Sequence, residues 1–340
     1  MFHPSKRKRM KRTGCLFDRL TDYDNLVDAF HKASKGKTTR RDVRDLAADF
    51  DENIIRLRQS IIDDTIEIGN YHFFTIYDPK CRRICAASFP ERILHHAIIN
   101  VCGERFERNL IYDTFATRKG KGTYAAIDRA IRYLKKYPYV VKLDFKKYYD
   151  SISHQTLKGK LRRLFKDAGL LHIFDRIIDS YEVSPGRGLP IGNLTSQYFA
   201  NHYLSAIDHS MREEEKVGGY VRYMDDILMM STSKSALKSA VKKLGSKSAD
   251  AGLTIKSPLY ANSSSGVNFL GYRLFPHYYV MSSRSKRRYS AKMRLYHELY
   301  AEGAWTEADL NRHLVPLTAF ALHGSNRLFR KTCNNRVEVV

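Results

Sequence analysis

The chain has 340 residues, 43% of them hydrophobic, which can bury a sizeable core in two or three subdomains and excludes a disordered chain. Its 59 lysines and arginines against 36 aspartates and glutamates give a formal net charge of +23, which predicts a polyanionic partner. A phosphate polymer fits better than a membrane because no amphipathic anchor, signal core or 18-residue apolar run stands out, so a soluble, cytoplasmic protein is expected. The five cysteines are odd in number and lack paired spacing, which favours neither zinc nor disulfides.

Residues 1–20 are predicted to form a basic tail, because 5–12 contains six cations and no acid. The tail either orders on RNA or a protein, or stays solvated. Helices are expected over 24–33 and 51–67, with a basic loop over 35–41 between them and Asp51 capping the second helix. The predicted apolar face of that second helix consists of Ile54, Ile55, Leu57, Ile61 and Ile62.

Strands are predicted over 71–77 and 82–88, joined by the turn Asp78-Pro79-Lys80. This hairpin presents cations, Arg82 among them, that suit a triphosphate; a solvated surface hairpin is the alternative. A helix then opens at Pro90, and its two adjacent histidines, at 95 and 96, are expected to pack rather than to bind a metal.

A glycine-rich basic loop over 117–123 contains Arg118 and opens a helix predicted over 123–136. Backbone N–H groups at such a helix start favour phosphate, although a single basic glycine loop is a weak signal.

Three aspartates occur in β-prone surroundings. Tyr223-Met224-Asp225-Asp226 interrupts an apolar run over 219–230 and predicts a hairpin with Met224 and Asp225 at its tip, while a second β-branched run, 139–143, ends at Asp144. Taken alone, the Asp-Asp pair suits an acidic turn in solvent. If the two elements adjoin, three carboxylates can hold two Mg²⁺ ions about 4 Å apart, the apparatus of nucleotidyl transfer, for which no protein nucleophile is needed.

Between these aspartate elements, residues 186–197 form a glycine-rich approach to a long helix capped by Asn193 and ending near Glu215. Two glycine turns let the backbone approach a flat ligand such as a base pair; ordinary loop chemistry is the alternative. The other predicted elements are helices over 154–165, 169–181 and 233–251, strands over 253–256 and 267–274, and a basic helical remainder from 281 to about 330.

The order of these parts resembles the reverse transcriptases over residues 78–274: basic hairpin, arginine loop, aspartate strand, glycine turn with helix, YxDD hairpin, lysine strand and Phe-Leu-Gly-Tyr strand. The resemblance implies an α+β right-hand polymerase fold. It assigns 21–138 to fingers with N-terminal helices, 139–275 to a palm with a finger insertion at 154–190, and 276–340 to a helical thumb. No RNase H, endonuclease or maturase domain is expected.

The resemblance also implies roles for individual residues. Asp144, Asp225 and Asp226 would hold two Mg²⁺ ions, for which Mn²⁺ can substitute, helped by the Phe145 carbonyl. Tyr149 matches the gate that excludes a ribose 2′-hydroxyl, with aromatic packing as the alternative, and Lys119 stands where relatives often have proline. The residues implied in nucleotide binding are Arg82, Arg118, Tyr149, Ile191, Gly192, Gln197 and Lys256. Those implied in primer and template binding are Tyr223, Met224, Phe269, Leu270, Gly271, Arg284, Lys286, Arg287 and Arg288.

A narrower resemblance rests on the run Ile191-Gly192-Asn193-Leu194-Thr195-Ser196-Gln197. Most reverse transcriptases have Gln-Gly followed by Ser-Pro here, whereas an aliphatic residue before Gly and a Ser-Gln ending resemble the enzymes of diversity-generating retroelements. That family implies mutagenic retrohoming in a bacterium or phage, with errors opposite template adenines and cDNA that diversifies a target gene. It also implies dNTPs, an RNA template, a DNA primer, the element RNA and a small, basic, oligomeric accessory protein as partners.

Two alternatives stay open. A retron, group II intron-like or phage-defence reverse transcriptase is disfavoured by the Ser-Gln ending, and a neighbouring variable-protein gene with a near-repeat would distinguish it. A catalytically silent RNA-binding scaffold is disfavoured because the three aspartates, Tyr149, Arg82 and Arg118 are all present.

Overall fold

The computed structural model describes residues 11–77 and 81–337, with side chains through Cys333. Half of the predicted basic tail (1–10) and the predicted Asp78-Pro79-Lys80 turn lie outside the described residues. The chain divides into two compact units. Unit 1 comprises residues up to 112, 145–210 and 244–254, and unit 2 comprises 113–144, 211–243 and the remainder from 255. In the described part of the chain, every helix is too short or too polar to span a lipid bilayer.

Unit 1 is helical apart from one hairpin. Its helices are α1 (Phe17–Leu20), α2 (Tyr23–Ser34), α3 (Arg41–Ala48), α4 (Phe50–Ile62), α5 (Phe89–Asn109), α7 (Tyr148–Ser151), α8 (His154–Leu164), α9 (Ala168–Asp179), α10 (Leu194–Tyr203) and α11 (Ser205–His209). The hairpin pairs β1 (His72–Ile76) with β2 (Arg82–Ala86) in antiparallel register.

An aromatic cluster lies in the core of unit 1. Phe106 of α5 packs edge-on against Phe165, which in turn contacts Phe174, with ring centroids 5.3 and 5.5 Å apart. Phe199 of α10 completes the cluster 5.2 Å from Phe174. All four rings are buried, so this cluster joins helices that are distant in sequence.

The N-terminal predictions need correction. Helix α1 lies inside the predicted tail, where Leu20 is fully buried and therefore ties the segment to the core. Helix α3 begins where a basic loop was expected, and α4 starts after Asp49 and ends at Ile62, so Asp51 is not its cap. Ile55 is 55% exposed, because the buried stripe of α4 is narrower than its apolar composition suggested.

Unit 2 contains the larger sheet. Its helices are α6 (Thr123–Lys136), α13 (Ser283–Ala301), α14 (Glu307–Leu322) and α15 (Arg327–Val337), and α12 (Lys234–Asp250) begins in it and ends in unit 1. Its strands are β3 (Tyr139–Leu143), β4 (Gly219–Tyr223), β5 (Asp226–Ser231), β6 (Leu259–Asn262), β7 (Val267–Phe269), β8 (Tyr272–Leu274) and β9 (Tyr279–Met281). The predicted α+β class is confirmed.

The four-stranded sheet has the order β4-β5-β3-β6, and all its pairs are antiparallel. Its central strands are buried because Val140, Val141 and the run 227–230 face apolar neighbours on both sides. A separate three-stranded sheet has the order β7-β8-β9. Side chains from α6, both sheets and α13 share one hydrophobic core.

Two strand predictions are wrong in position. The strand expected over 253–256 is reduced to a single bridge residue, Ile255. The next strand, β6, starts after Pro258, which has no N–H to donate to a ladder. The strand expected over 267–274 is a hairpin that turns at Leu270 and Gly271, both with positive φ (49° and 87°).

The long helix predicted to end near Glu215 is instead three helical segments. After α10 and α11, a π-helical turn covers Ser210–Glu214. At this break the Ser205 hydroxyl and the His209 ring both hydrogen-bond to the Asn109 carbonyl oxygen, at 2.9 and 3.0 Å. These tertiary bonds are not encoded in the helical pattern, which is why the sequence predicted one helix.

Candidate active site

A tight turn between β4 and β5 carries the two adjacent carboxylates. Met224 and Asp225 form its tip, as predicted, and Tyr223 pairs with Asp226 across the hairpin. Met224 adopts φ = 52°, a left-handed conformation unusual for a non-glycine residue that a tight hairpin turn requires. Because the residues after Asp226 are buried, the hairpin is anchored in the core and its acidic tip lies at the sheet end.

Asp144 lies at the same end of the sheet. Leu143, the last residue of β3, pairs with Ile227 of β5. Because the strands are antiparallel, the residue after Leu143 lies beside the residue before Ile227, which brings Asp144 next to Asp226. The strand register thus places the three aspartates together.

Two lysines compensate this acidic cluster. The Lys256 Nζ lies 2.6 Å from Asp144 Oδ2, and the Lys256 backbone N–H donates to the Asp144 carbonyl oxygen at 2.8 Å. The Lys142 Nζ lies 3.1 Å from Asp226 Oδ1. Sequence reasoning assigned Lys256 to the nucleotide and missed Lys142, although a lysine two residues before Asp144 shares a strand face with it.

The pKa of Asp225 is raised to about 6, mainly because the carboxyl is buried and also because Asp226 and Asp144 are close. Such a group binds a proton more readily in the folded than in the unfolded chain. The charged form of Asp225 is therefore unfavourable in the turn, through lost hydration first and repulsion second, and a bound cation would offset both.

This shift predicts a pH-dependent stability of the metal-free protein. Between the unfolded pKa near 3.8 and the folded value near 6, the folded state binds more protons, so its stability falls as pH rises. The contribution is at most about 3 kcal/mol, at about 1.4 kcal/mol per pKa unit. We expect Asp225→Asn to be more stable than wild type in urea unfolding with EDTA. The difference in free energy of unfolding should grow from pH 4 to pH 6.5. A constant difference would contradict the assigned cause.

The acidic cluster fits divalent cations. Asp144 Oδ1 is buried without a hydrogen-bond partner, and oxygen donors are what Mg²⁺ and Mn²⁺ prefer. Over residues 11–77 and 81–337, no three His, Cys, Asp or Glu side chains form a preassembled metal-binding group. That is compatible with Mg²⁺, which commonly takes only one or two protein carboxylates and completes its shell with water and substrate phosphates.

Arg222 lies inside the hairpin next to the acidic turn. Its side chain is fully buried, and its Nη1 donates to the Met224 carbonyl oxygen at 2.9 Å. Its backbone N–H donates to the carbonyl of Asp113 and its carbonyl accepts from Phe115, both at 2.9 Å. A buried guanidinium thus supports the left-handed residue of the turn. Sequence reasoning missed it, although an arginine in an otherwise apolar strand was a visible signal.

The glycine-rich loop opens α6 as predicted, with Gly120 and Gly122 at positive φ. Arg118 Nη1 donates to the carbonyl oxygen and the hydroxyl of Thr114, at 3.0 and 2.7 Å. These bonds fold the loop back on the segment that pairs with Arg222.

Unit 1 carries most of the other residues predicted to bind nucleotide. Arg82 is the first residue of β2 and is exposed. Tyr149 lies in α7 with its ring 5.9 Å from that of Tyr148, and its carbonyl accepts from Leu189 N–H at 3.0 Å. The neighbouring Phe145, which follows Asp144 in the chain, is buried.

The Ile191–Gly192 turn is hydrogen-bonded to β2. The Cys85 N–H donates to the Ile191 carbonyl oxygen at 2.7 Å. Gly192 has φ = 128°, and a Cβ there would lie 2.7 Å from the Cys85 carbonyl oxygen, so only glycine fits. Asn193 is at the N-cap position of α10 but its side chain makes no capping bond, which corrects that prediction. Gln197 is half-buried in the first turn of α10.

The histidines of α5 pack, as predicted. His95 is buried and its Nδ1 lies 3.0 Å from Thr195 Oγ1. Burial lowers the pKa of His96 to about 4, so this ring is neutral at pH 7.

The Phe269-Leu270-Gly271 segment is the β7–β8 turn, held by the start of α13. Ser285 Oγ donates to the Gly271 carbonyl oxygen at 2.6 Å, and Ser282 N–H donates to the same oxygen at 3.0 Å. The four basic residues predicted to bind primer and template lie in the first turns of α13, in unit 2: Arg284, Lys286, Arg287 and Arg288. Of these, Arg284 and Arg287 are exposed, Lys286 lies over the Phe329 ring, and Arg288 lines a cavity of about 300 Å³ between α13 and α14.

Comparison with known proteins gives one family match. The family described as "Reverse transcriptase (RNA-dependent DNA polymerase)" matches residues 78–274, more than half of the chain. No curated protein sequence matches the chain.

Among solved structures, apo telomerase from Candida tropicalis truncated from its C-terminal domain is similar, with a TM-score of 0.47 and 16% identity, over 60% of this chain and 53% of that one. Telomerase from the same organism in complex with a TWJ fragment of telomeric RNA gives a TM-score of 0.49 and 11% identity, over 80% of this chain and 57% of that one. The chain spans about half the length of these structures.

Proposed function

The chain belongs to the reverse transcriptase family, with the α+β fold of a polymerase, and on that premise we propose that it extends a DNA primer on an RNA template, using dNTPs and two Mg²⁺ ions. The observation that carries the proposal is the cluster of Asp144, Asp225 and Asp226 at one sheet end, with a buried, unpartnered carboxylate oxygen on Asp144. Family members are nucleotidyltransferases, and a cluster of carboxylates supplies the metal ligands that such an enzyme requires.

In this proposal Asp144 and Asp225 hold the divalent ions, together with Asp226 and the Phe145 carbonyl. When bound, Mg²⁺ lowers the pKa of the primer 3′-hydroxyl and neutralises the triphosphate and the leaving pyrophosphate. The pKa of Asp225 is raised mainly by burial and further by Asp226 and Asp144, and bound cations would offset both effects on the charged carboxylate.

The remaining roles follow from the family. Arg82, Arg118 and Lys256 contact the triphosphate, and Tyr149 excludes a ribose 2′-hydroxyl. The cations of α13 and the turn at Gly271 contact the primer and template through phosphates and 2′-hydroxyls. Binding of the duplex is therefore salt-sensitive and largely independent of sequence.

Primer extension tests the polymerase proposal. We expect the full chain to extend a DNA primer on an RNA template when dNTPs and Mg²⁺ are present. EDTA should abolish the extension, and ribonucleotides should not support it in place of dNTPs. Extension on RNA that is unaffected by EDTA would contradict the two-metal assignment. If no extension occurs even with the element RNA and accessory protein added, the chain is better described as an RNA-binding scaffold.

We further propose that the enzyme belongs to a diversity-generating retroelement, copies a template-repeat RNA, and misincorporates opposite adenines. The support is the run from Ile191 to Gln197, in which an aliphatic side chain precedes Gly192 and Ser196-Gln197 ends the motif. A small, basic, oligomeric accessory protein and the element RNA would then be its partners.

Ile191 is expected to contribute to the adenine-directed errors, because an aliphatic side chain offers shape but no hydrogen bond near the nascent base pair. Restoring the amide in Ile191→Gln should lower errors opposite template adenines about three- to tenfold, as one polar constraint provides a few kcal/mol at most. Sequencing of extension products measures this. Val183→Gln, an equivalent change at an exposed position of the same unit, is the control. Unchanged fidelity at adenines in Ile191→Gln would contradict the hypothesis.

A further inference from the structure

Lys142 is a charged residue at an unusual place in the fold. It lies in β3, a central strand of the four-stranded sheet, between the buried residues Val141 and Leu143. A lysine in a buried strand lowers stability unless its ammonium group has a partner or reaches water. The group that Lys142 contacts therefore indicates what its positive charge does at this position.

The partner is Asp226, reached diagonally across the sheet. Lys142 pairs in register with Leu228 of β5, so Asp226 is the diagonal neighbour, within the reach of a long side chain. The Nζ–Oδ1 distance is 3.1 Å, and the two side chains are 21% and 26% exposed. The other lysine of the cluster, Lys256, lies outside any strand and is 43% exposed. Lys142 is thus the more rigidly placed cation.

We propose that Lys142 is the built-in counter-ion of Asp226: it holds this carboxylate in the metal-free enzyme, and a divalent cation displaces it before Asp226 can become a ligand. The inference rests on the proposed metal site. Asp144, with its buried unpartnered oxygen, and Asp225 would then take the first cation, and Asp226 would join last. Lys142 is a positioning residue, and it tunes the cation affinity of the empty site.

Direct Mn²⁺ binding to the full chain, without nucleotide or nucleic acid, tests this inference by electron paramagnetic resonance. Lys142→Met keeps most of the aliphatic stem and removes the competing charge, so Mn²⁺ should bind about tenfold more tightly, a Coulomb effect reduced by partial exposure. Lys142→Arg, which keeps the charge, should bind as wild type does. Lys135→Met removes the same charge from an exposed position of α6 and serves as the control.

The effect must act through Asp226. In an Asp226→Asn background, Lys142→Met is expected to raise the Mn²⁺ affinity much less than in the wild-type background, and a double-mutant cycle measures this coupling. The thermal transition in EDTA shows whether the Lys142→Met protein is folded. If it is folded and binds Mn²⁺ no more tightly than wild type does, the inference is overturned while the proposed metal site stands. If Asp225→Asn binds Mn²⁺ as tightly as wild type does, the ion lies elsewhere, and the metal site and the inference are overturned together.

Discussion

Asp225→Asn is expected to lower the rate of primer extension by about a thousandfold or more, because weaker binding of a divalent ion removes several kcal/mol of transition-state stabilisation. The change keeps the shape of the side chain and removes its charge from a partly buried turn. Because burial, and to a lesser extent Asp226 and Asp144, raises the pKa of Asp225, the same change should stabilise the metal-free fold. Single-turnover extension on an RNA template, with saturating Mg²⁺, measures the rate.

The combination of lost activity and retained fold distinguishes chemistry from damage. Asp128→Asn makes the same substitution on the exposed face of α6 and should extend primers as wild type does. Near-normal extension by Asp225→Asn would exclude this carboxylate as a metal ligand. A fall in stability in EDTA would instead show that the turn needs the charge for folding.

Arg222→Met is expected to have the second-largest effect, on stability and activity together. The change removes the donor to the Met224 carbonyl oxygen and a guanidinium that is fully buried. Breaking buried, hydrogen-bonded charge interactions costs about 3–5 kcal/mol, which urea unfolding would detect. Because the same bond supports the left-handed Met224, we also expect at least about a tenfold loss of extension rate at temperatures where the variant stays folded.

Two comparisons separate the turn from the general cost of losing an arginine. Arg132→Met, at an exposed position of α6, should be close to wild type in both measurements. Arg222→Lys keeps the charge without the planar donor group, so it should recover part of the stability and little of the rate. A wild-type extension rate in Arg222→Met would show that the carboxylates are held without this bond.

Local patterns determined the candidate hairpin. The apolar, β-prone runs on either side of Met224-Asp225 favour a tight turn there, and the structure has it at those residues. The helix over 123–136 was likewise predictable, because its apolar period and the glycines before it are local features. The errors came where tertiary contacts override such patterns: at Leu270–Gly271, where a turn interrupts an apolar run, and at the π-helical turn over Ser210–Glu214.

The sequence by itself determined the candidate residues and the family: three aspartates in two β-prone runs, a basic composition and a motif order that matches the reverse transcriptase family. Only the tertiary structure decided their partners. Lys142 meets Asp226 because β3 and β5 pair in one particular register, and a shift of one residue would turn Lys142 to the other face. Arg222 supports Met224 from a fully buried position, and that burial depends on neighbours far away in sequence. Charge compensation is a property of distances between strands, and spacing along the chain does not encode those distances.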